Sequence, residues 1–568
     1  MPNREGRALA IESPSGAPVA VGSAPPSVRR FELVALGAVA AASVVYFWVL
    51  WVLWGNTVDP LRSSYPGTIY DVQARAILSG HLSLPNGSIG TEAFVHDGHT
   101  YTYFGIFPSL LRIPILLVTH SLDGRLTSLS MGLAWLVTAL FAVLLLWRVR
   151  VLVRGDAVLG WAEAASYGVL LASILVGSVL VFLASQPQVY SEDLAWSVAL
   201  ACGSLFALLG VVERPSWGRV SVAGVLVVLT NLNRSTTGYA CILAAFVLSA
   251  WFALGRAGPE RRSWALPTLL VGLLALAAGC AIDLAKFGLL FGFPASDQLL
   301  YREFGLGHIN GGHYFAIRFL PSTLQAYVAP ANMRVTPFFP FITLPASPIH
   351  PVAHTPLFQR LPTASVPASA PLLFGVGLWG VIAVFRPHRP AAIRALRILL
   401  IAAAVSGAVV MVFGWVAERF AADFMPLLVL ASVAGMVDIW QRLDGRSLRA
   451  RRPALVIIGL AALFGLVANV GFASAPSAGW TQAQLTNYVQ AERIVGNLTG
   501  HALDGDVVRG DRFPSHASLD QLFVLGRCEA MYLSLREGPT NPAYPQLTWL
   551  LVEHSPHVPL CRSLAGQR

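Results

Sequence analysis

Three pieces of sequence decide how this chain is read: Tyr70-Asp71-Val72-Gln73-Ala74-Arg75-Ala76-Ile77-Leu78-Ser79-Gly80-His81-Leu82, Glu92-Ala93-Phe94, and Asp97-Gly98-His99-Thr100-Tyr101-Thr102-Tyr103-Phe104-Gly105-Ile106-Phe107-Pro108. They lie in a polar, aromatic stretch (55–125), punctuated by Gly and Pro, between two apolar runs that begin near Phe31 and Leu126. From there to about residue 475 most of the chain is apolar. A large hydrated loop beside a membrane bundle is where a membrane enzyme keeps its chemistry, so the search for a site starts here.

The composition supports the membrane half of that reading. Of 568 residues, 55% are hydrophobic and only 12% charged, about half the charge of an ordinary soluble chain. Repeated apolar runs of ~18–25 residues each suffice to cross a ~30 Å hydrocarbon core as a helix. The net charge of +10 does not indicate nucleic-acid binding, because the cations sit in short loops between apolar runs, as in cytoplasmic loops of membrane proteins. Arg29 and Arg30 precede the first run. Arg148, Arg150 and Arg154 follow the second, and further groups follow at Arg214/Arg219, Arg256/Arg261/Arg262, Arg386/Arg389/Arg394 and Arg442–Arg452. All fit one face if 104–122 does not cross, and Pro108, Pro114 and Arg112 interrupt that segment, which suits a juxtamembrane or re-entrant course.

The expected fold is therefore an α-helical polytopic membrane protein of about eleven spans. Its expected parts are a disordered cytoplasmic tail (1–30), a transmembrane domain (31–475) with large outer loops at 55–125 and 294–370, and a small extracytoplasmic α/β domain (476–568). The chain would sit in the plasma (inner) membrane, with its N-terminus cytoplasmic and its C-terminal domain outside. Two strands are expected in that last domain, near 530–535 and 547–553. Cys528 and Cys561 are candidates for a disulfide if it lies outside the cytoplasm. Cys202, Cys241 and Cys280 lie in apolar runs as inert residues.

The outer loop resembles the first extracytoplasmic loop of GT-C glycosyltransferases, the superfamily of protein O-mannosyltransferases and lipid A aminoarabinose transferases. Three blocks carry the likeness: Tyr70 with Ala74-Arg75-Ala-Ile-Leu-Ser-Gly80-His81, the Gly98 to Pro108 segment, and Gly124-Arg125-Leu126. Val189-Tyr-Ser-Glu192-Asp193, Asn231-Leu-Asn-Arg234, Lys286-Phe-Gly288 and Glu418-Arg419-Phe-Ala-Ala-Asp423 extend it to a group of bacterial membrane proteins. The resemblance implies a GT-C-like bundle and an inverting transfer of sugar. The donor would be a polyprenyl-phosphate sugar at the outer leaflet, and the acceptor an envelope glycan, lipid or protein. It implies no cofactor. The Asp-Glu or Asp-Asp pair that such enzymes carry after the first span falls here on Pro66 and Gly67, counting from Gly80. That departure keeps a second reading open, a non-catalytic binding or transport protein for polyprenyl-linked glycans.

Glycosyl transfer needs a carboxylate to deprotonate the acceptor hydroxyl and cations to meet the leaving phosphate. Asp71, Glu192 and Asp193 are the candidate catalytic carboxylates. Arg75, Arg112, Arg125, Arg234 and Arg419 are the candidate phosphate ligands, and Tyr101 and Tyr103 can stack on sugar. Other roles compete: Asp71 as the N-cap of a helix starting near Val72, Glu192 and Asp193 as partners of a helix dipole, Arg112 and Arg125 as interfacial snorkelling residues, and the tyrosines as an aromatic belt. Arg234 interrupts an apolar stretch, either at membrane depth or in a short turn. Asp283 and Lys286, three apart, can pair on one helix face. His308 and His313 show no metal-ligand spacing.

Overall fold

The computed structural model describes residues 26–53, 58–61, 68–303, 305–330, 332–335, 339–345, 348–387, 390–474, 494–495 and 497–499. The expected strands near 530 and 550, the C-terminal domain and the Cys528–Cys561 pairing lie outside them, as do Pro66 and Gly67.

The chain begins with α1 (Pro26–Phe47), which runs on through a π-helical turn at Trp48–Val52. The outer loop follows, with α2 (Ile69–Leu78), the hairpin β1 (Phe94–His96) and β2 (His99–Tyr101), and α3 (Phe107–Leu116). The bundle then continues through α4 (Thr127–Arg154), α5 (Trp161–Leu175), α6 (Val179–Ala184), α7 (Val189–Glu213), α8 (Trp217–Asn233), α9 (Ser235–Ala253) and α10 (Ala265–Phe287). A second outer region holds α11 (Leu299–Glu303), α12 (Leu320–Val328) and α13 (Val366–Ser369). It leads into α14 (Pro371–Phe385), α15 (Ala391–Met411), α16 (Met425–Leu443) and α17 (Leu448–Ser474).

Among the described residues, nine helical stretches are long and apolar enough to cross a membrane, with α5 and α6 counting as one. The expectation of about eleven also counted α8, 17 residues long, and α14, 15 residues long. Both pack within the bundle. α14 lies against α16 so closely that a Cβ at Gly380 would run into the Ala431 carbonyl, and one at Gly435 into that of Val376. Small residues at such a seam let two backbones touch, which is how helices associate where no hydrophobic effect separates them from lipid. α3 has ten residues, about 15 Å at 1.5 Å per residue, half of what a crossing requires. It lies in the segment (104–122) expected not to cross.

Local chemistry fixes the outer loop. The β1–β2 turn is Asp97-Gly98, both at positive φ (48° and 78°), the backbone that a two-residue hairpin needs and that Asp-Gly tolerates. Past the hairpin, Gly105 lies against the last turn of α8, where a Cβ would collide with the carbonyl oxygens of Leu232 and Asn233. The other side of the same segment is held by Lys286, the sole lysine, whose buried Nζ donates to the carbonyls of Thr102 (3.0 Å) and Phe104 (3.1 Å). The second outer region is tied on by Leu299 N–H donating to the Ala93 carbonyl (2.8 Å).

Candidate functional site

The first turn of α7, Val189-Tyr190-Ser191-Glu192-Asp193, organises the outer end of the bundle. A helix turns by about 100° per residue, so Tyr190, Glu192 and Asp193 point in different directions, and each enters a separate polar cluster.

Glu192 joins α7 to the outer loop through Arg112 on α3. The pair is bidentate, Nη1–Oε1 and Nη2–Oε2 both 2.7 Å. Arg112 Nε binds Asp71 Oδ1 at 2.8 Å, and Nη1 also reaches the Pro108 carbonyl. The second oxygen of Asp71 accepts the Gly124 N–H at 2.8 Å. Asp71, Arg112 and Glu192 are 2%, 2% and 0% exposed. Arg112 is therefore enclosed and does not snorkel. Asp71 is not an N-cap either: α2 starts at Ile69, two residues earlier, and Asp71 sits inside its first turn with both oxygens turned to tertiary partners. Burial raises the Asp71 carboxyl to about 6 against the opposing pull of Arg112, with the Glu192 charge adding to the rise. Burial works against the charge of Arg112, yet the two carboxylates, Glu192 first, outweigh it and push its pKa up.

Asp193 enters the second cluster. Arg234 is the extended residue (φ −148°, ψ 118°) at the break between α8 and α9, which settles its place in a short turn. Its Nη1 pairs with Asp193 Oδ2 at 2.7 Å, and Nε and Nη2 grip both oxygens of Asp423 at 3.0 and 2.9 Å. Thr236 donates to Asp423 Oδ1 (2.9 Å), and Asn233 Nδ2 to the Asp193 carbonyl (2.9 Å). Asp423 was quoted in a sequence block without a role; it is the main partner of Arg234.

Tyr190 enters the third cluster, whose acid, Glu92, was quoted in a sequence block without a role. Its hydroxyl donates to Oε1 of Glu92, in the short turn before β1. Arg419 stands over the Tyr190 ring at 4.8 Å and over Phe420 at 5.0 Å. Among the described residues it has neither an ion pair nor a hydrogen bond, and its Nε is buried without an acceptor. Glu92 is half-buried, and burial raises its carboxyl while the Tyr190 hydrogen bond and the Arg419 charge counteract part of the rise. Tyr103 faces this group. Its phenol is pushed well up, chiefly by burial and then by the Glu92 charge, and its ring stacks on Phe104 at 4.2 Å.

The remaining candidates stand apart. Arg75 clamps the loop after α3 through Asp123 (2.7 Å) and the carbonyls of Leu116 and Thr119. Arg125 is exposed and donates to the Leu61 carbonyl. Tyr101 rests edge-on against Phe287 at 5.7 Å. Lys286 spends its hydrogen bonds on carbonyls of the outer loop, and Asp283 accepts the Gly292 N–H at 3.0 Å. Among the described residues the two, which could pair on one face, form no direct ion pair, though each still feels the other's charge.

No family model and no curated protein sequence matches the chain. Solved structures of an oligosaccharyltransferase from Archaeoglobus fulgidus are similar in fold. One is AglB in complex with an inhibitory peptide and a dolichol-phosphate: 17% identity, 82% of this chain and 58% of that chain covered, TM-score 0.43. Another is the apo form, at 16% identity, 82% and 59% coverage and TM-score 0.41. A third, tethered to an acceptor peptide containing the NVT sequon, gives 17% identity, 82% and 58% coverage and TM-score 0.39. The chain thus spans less than two thirds of the length of the proteins it matches.

Proposed function

We propose that this chain is a membrane-embedded, inverting glycosyltransferase. It takes a sugar from a polyprenyl-phosphate donor at the outer leaflet and passes it to an envelope glycan, lipid or protein. The observation that carries this reading is Arg419, a guanidinium with no counter-ion among the described residues, held over two aromatic rings beside the carboxylate of Glu92. An Arg fork matches phosphate oxygens, and in a site poor in water its charge stabilises a leaving phosphate more than it would in solution.

The other charged groups divide the remaining work. Arg112 and Arg234 are occupied by Asp71, Glu192, Asp193 and Asp423, so in this reading they pin α2, α3, α7, α8 and the segment before α16 into one platform. Arg75 and Arg125 hold the loops at its edge. Tyr101 and Tyr103 supply ring faces for sugar. The competing reading, a binding protein for polyprenyl-linked glycans, is favoured by Pro66 and Gly67 standing where the acidic pair of GT-C enzymes falls.

Full-length protein in lipid nanodiscs separates the two. Wild type should bind a polyprenyl monophosphate, and Arg419→Ala should weaken that binding about 10–100-fold, the loss expected for a charged hydrogen-bonding partner. Wild type should also transfer label from polyprenyl-phosphate monosaccharides to an envelope fraction. Binding without transfer from any donor in the panel selects the non-catalytic reading.

A further inference from the structure

We infer that Glu92 is the general base of the transfer, an inference that rests on the glycosyltransferase reading above. The reason is the state of the five carboxylates in the three clusters; Glu418, outside them, is sealed in, with Oε2 accepting the Ala364 N–H and Oε1 without a partner among the described residues. Asp71, Glu192, Asp193 and Asp423 are all at most 3% exposed, and each is bound to a guanidinium at 3.0 Å or less. A base must reach the hydroxyl it deprotonates and must have a lone pair to receive the proton. Glu92 is half-buried and, among the described residues, bound to no cation. Tyr190 occupies Oε1, and among the described residues Oε2 accepts no hydrogen bond.

Glu92 is also placed beside the cation that the leaving group needs. Tyr190 meets Glu92 with its hydroxyl and Arg419 with its ring face, so one side chain sets the spacing between base and phosphate ligand. In the step, the acceptor O–H proton passes to Glu92 Oε2 as the acceptor oxygen bonds to the anomeric carbon. The bond from that carbon to the phosphate oxygen breaks with its electron pair, and the polyprenyl phosphate departs against Arg419. Proton, bond and charge balance with no further reagent. The direction of the Glu92 shift, upward from an ordinary glutamate, strengthens it as a base.

The test uses full-length protein in nanodiscs, with polyprenyl-phosphate monosaccharides as donors. In Glu92→Gln the amide oxygen still accepts from Tyr190, so the cluster keeps its shape. It should lower kcat about 10²–10⁴-fold, abolish the acid limb of the kcat–pH profile, and leave affinity for polyprenyl monophosphate within about twofold. Tyr190→Phe removes a hydrogen bond to the charged carboxylate and should move that limb to higher pH. If Glu92→Gln is recovered unfolded, Glu92→Asp decides, because a base withdrawn by one methylene cannot sustain the wild-type rate. A wild-type kcat and acid limb in Glu92→Gln, or a wild-type rate in Glu92→Asp, overturns the assignment while leaving the transferase reading intact. Absence of transfer by wild type from every donor overturns both.

Discussion

Asp71 shows how burial and pairing oppose each other at a single residue. Its carboxyl stands at about 6 in the folded protein, against ~3.9 for an unperturbed aspartate. A carboxyl raised by folding takes up a proton more readily folded than unfolded. Its contribution to stability is therefore fully present below about pH 4 and is lost as pH rises through 6. Thermal unfolding in detergent should show a decline in stability between pH 4 and 7 that Asp71→Asn flattens. Asp71→Ala should instead destabilise at every pH, by about 3–5 kcal/mol, because it strips one carboxylate from a buried guanidinium and leaves the Gly124 N–H without its acceptor. The sequence disclosed the membership of this cluster, since Asp71, Arg112 and Glu192 are ionisable residues in or beside apolar runs. It did not disclose the pairing, because contacts across 41 and 80 residues follow no local period. Glu92 was quoted without a role for a related reason: an acid in a hydrated loop is unremarkable until Tyr190, 98 residues away, is seen to hold it. The availability of Arg419 becomes visible only after the partners of every neighbouring acid are known.

At the scale of elements, residues 102–105 form the joint through which the outer loop sits on the bundle. Lys286 at the end of α10 holds one side, and the last turn of α8 accepts the other only because Gly105 has no Cβ. Lys286→Met leaves the Thr102 and Phe104 carbonyls without their donor, and each buried group so stranded costs about 1–3 kcal/mol. Gly105→Ala forces two backbones apart. Both variants should lower the unfolding temperature in detergent and open the 80–105 segment to protease before the spans unfold; resistance equal to wild type would refute this joint. The elements themselves were largely legible, because apolar runs, proline interruptions and the Asp97-Gly98 turn act locally. α8 and α14 were harder to judge by length alone. α14 is 15 residues long, and it packs in the bundle because glycines, which add little to an apolar count, allow α16 to touch its backbone.

The orientation we propose for the whole molecule rests on which loops share an end of the bundle. Arg154 pairs with Asp444 at 2.6 Å, Arg148 with Glu213 at 3.3 Å, and Arg261 donates to the carbonyls of Val212 and Glu213. Arg30 at the start of α1 donates to the Leu159 carbonyl before α5 (2.9 Å). The basic loops therefore meet one another, while the three polar clusters gather where α7 begins, a helix length away. Short loops rich in Arg stay in the cytoplasm, so the orientation we propose turns the clusters outward, where a lipid-linked sugar donor would meet them. The assignment depends on α3. If α3 crossed the bilayer, α4 and every later span would reverse, and the arginine groups after Arg148 would lie outside, opposite Arg29 and Arg30. The ten residues of α3, about 15 Å, fall short of a crossing. In a cysteine-free background, Ser121→Cys and Ser447→Cys, both at exposed positions, test the arrangement with a membrane-impermeant maleimide. Right-side-out spheroplasts should label at 121 and not at 447, and inverted vesicles should do the opposite. Labelling of both positions from the same side would mean that the basic loops and the outer loop are not on opposite faces. The reverse pattern would place Arg419 and Glu92 in the cytoplasm, on the wrong side of the membrane for an outer-leaflet donor.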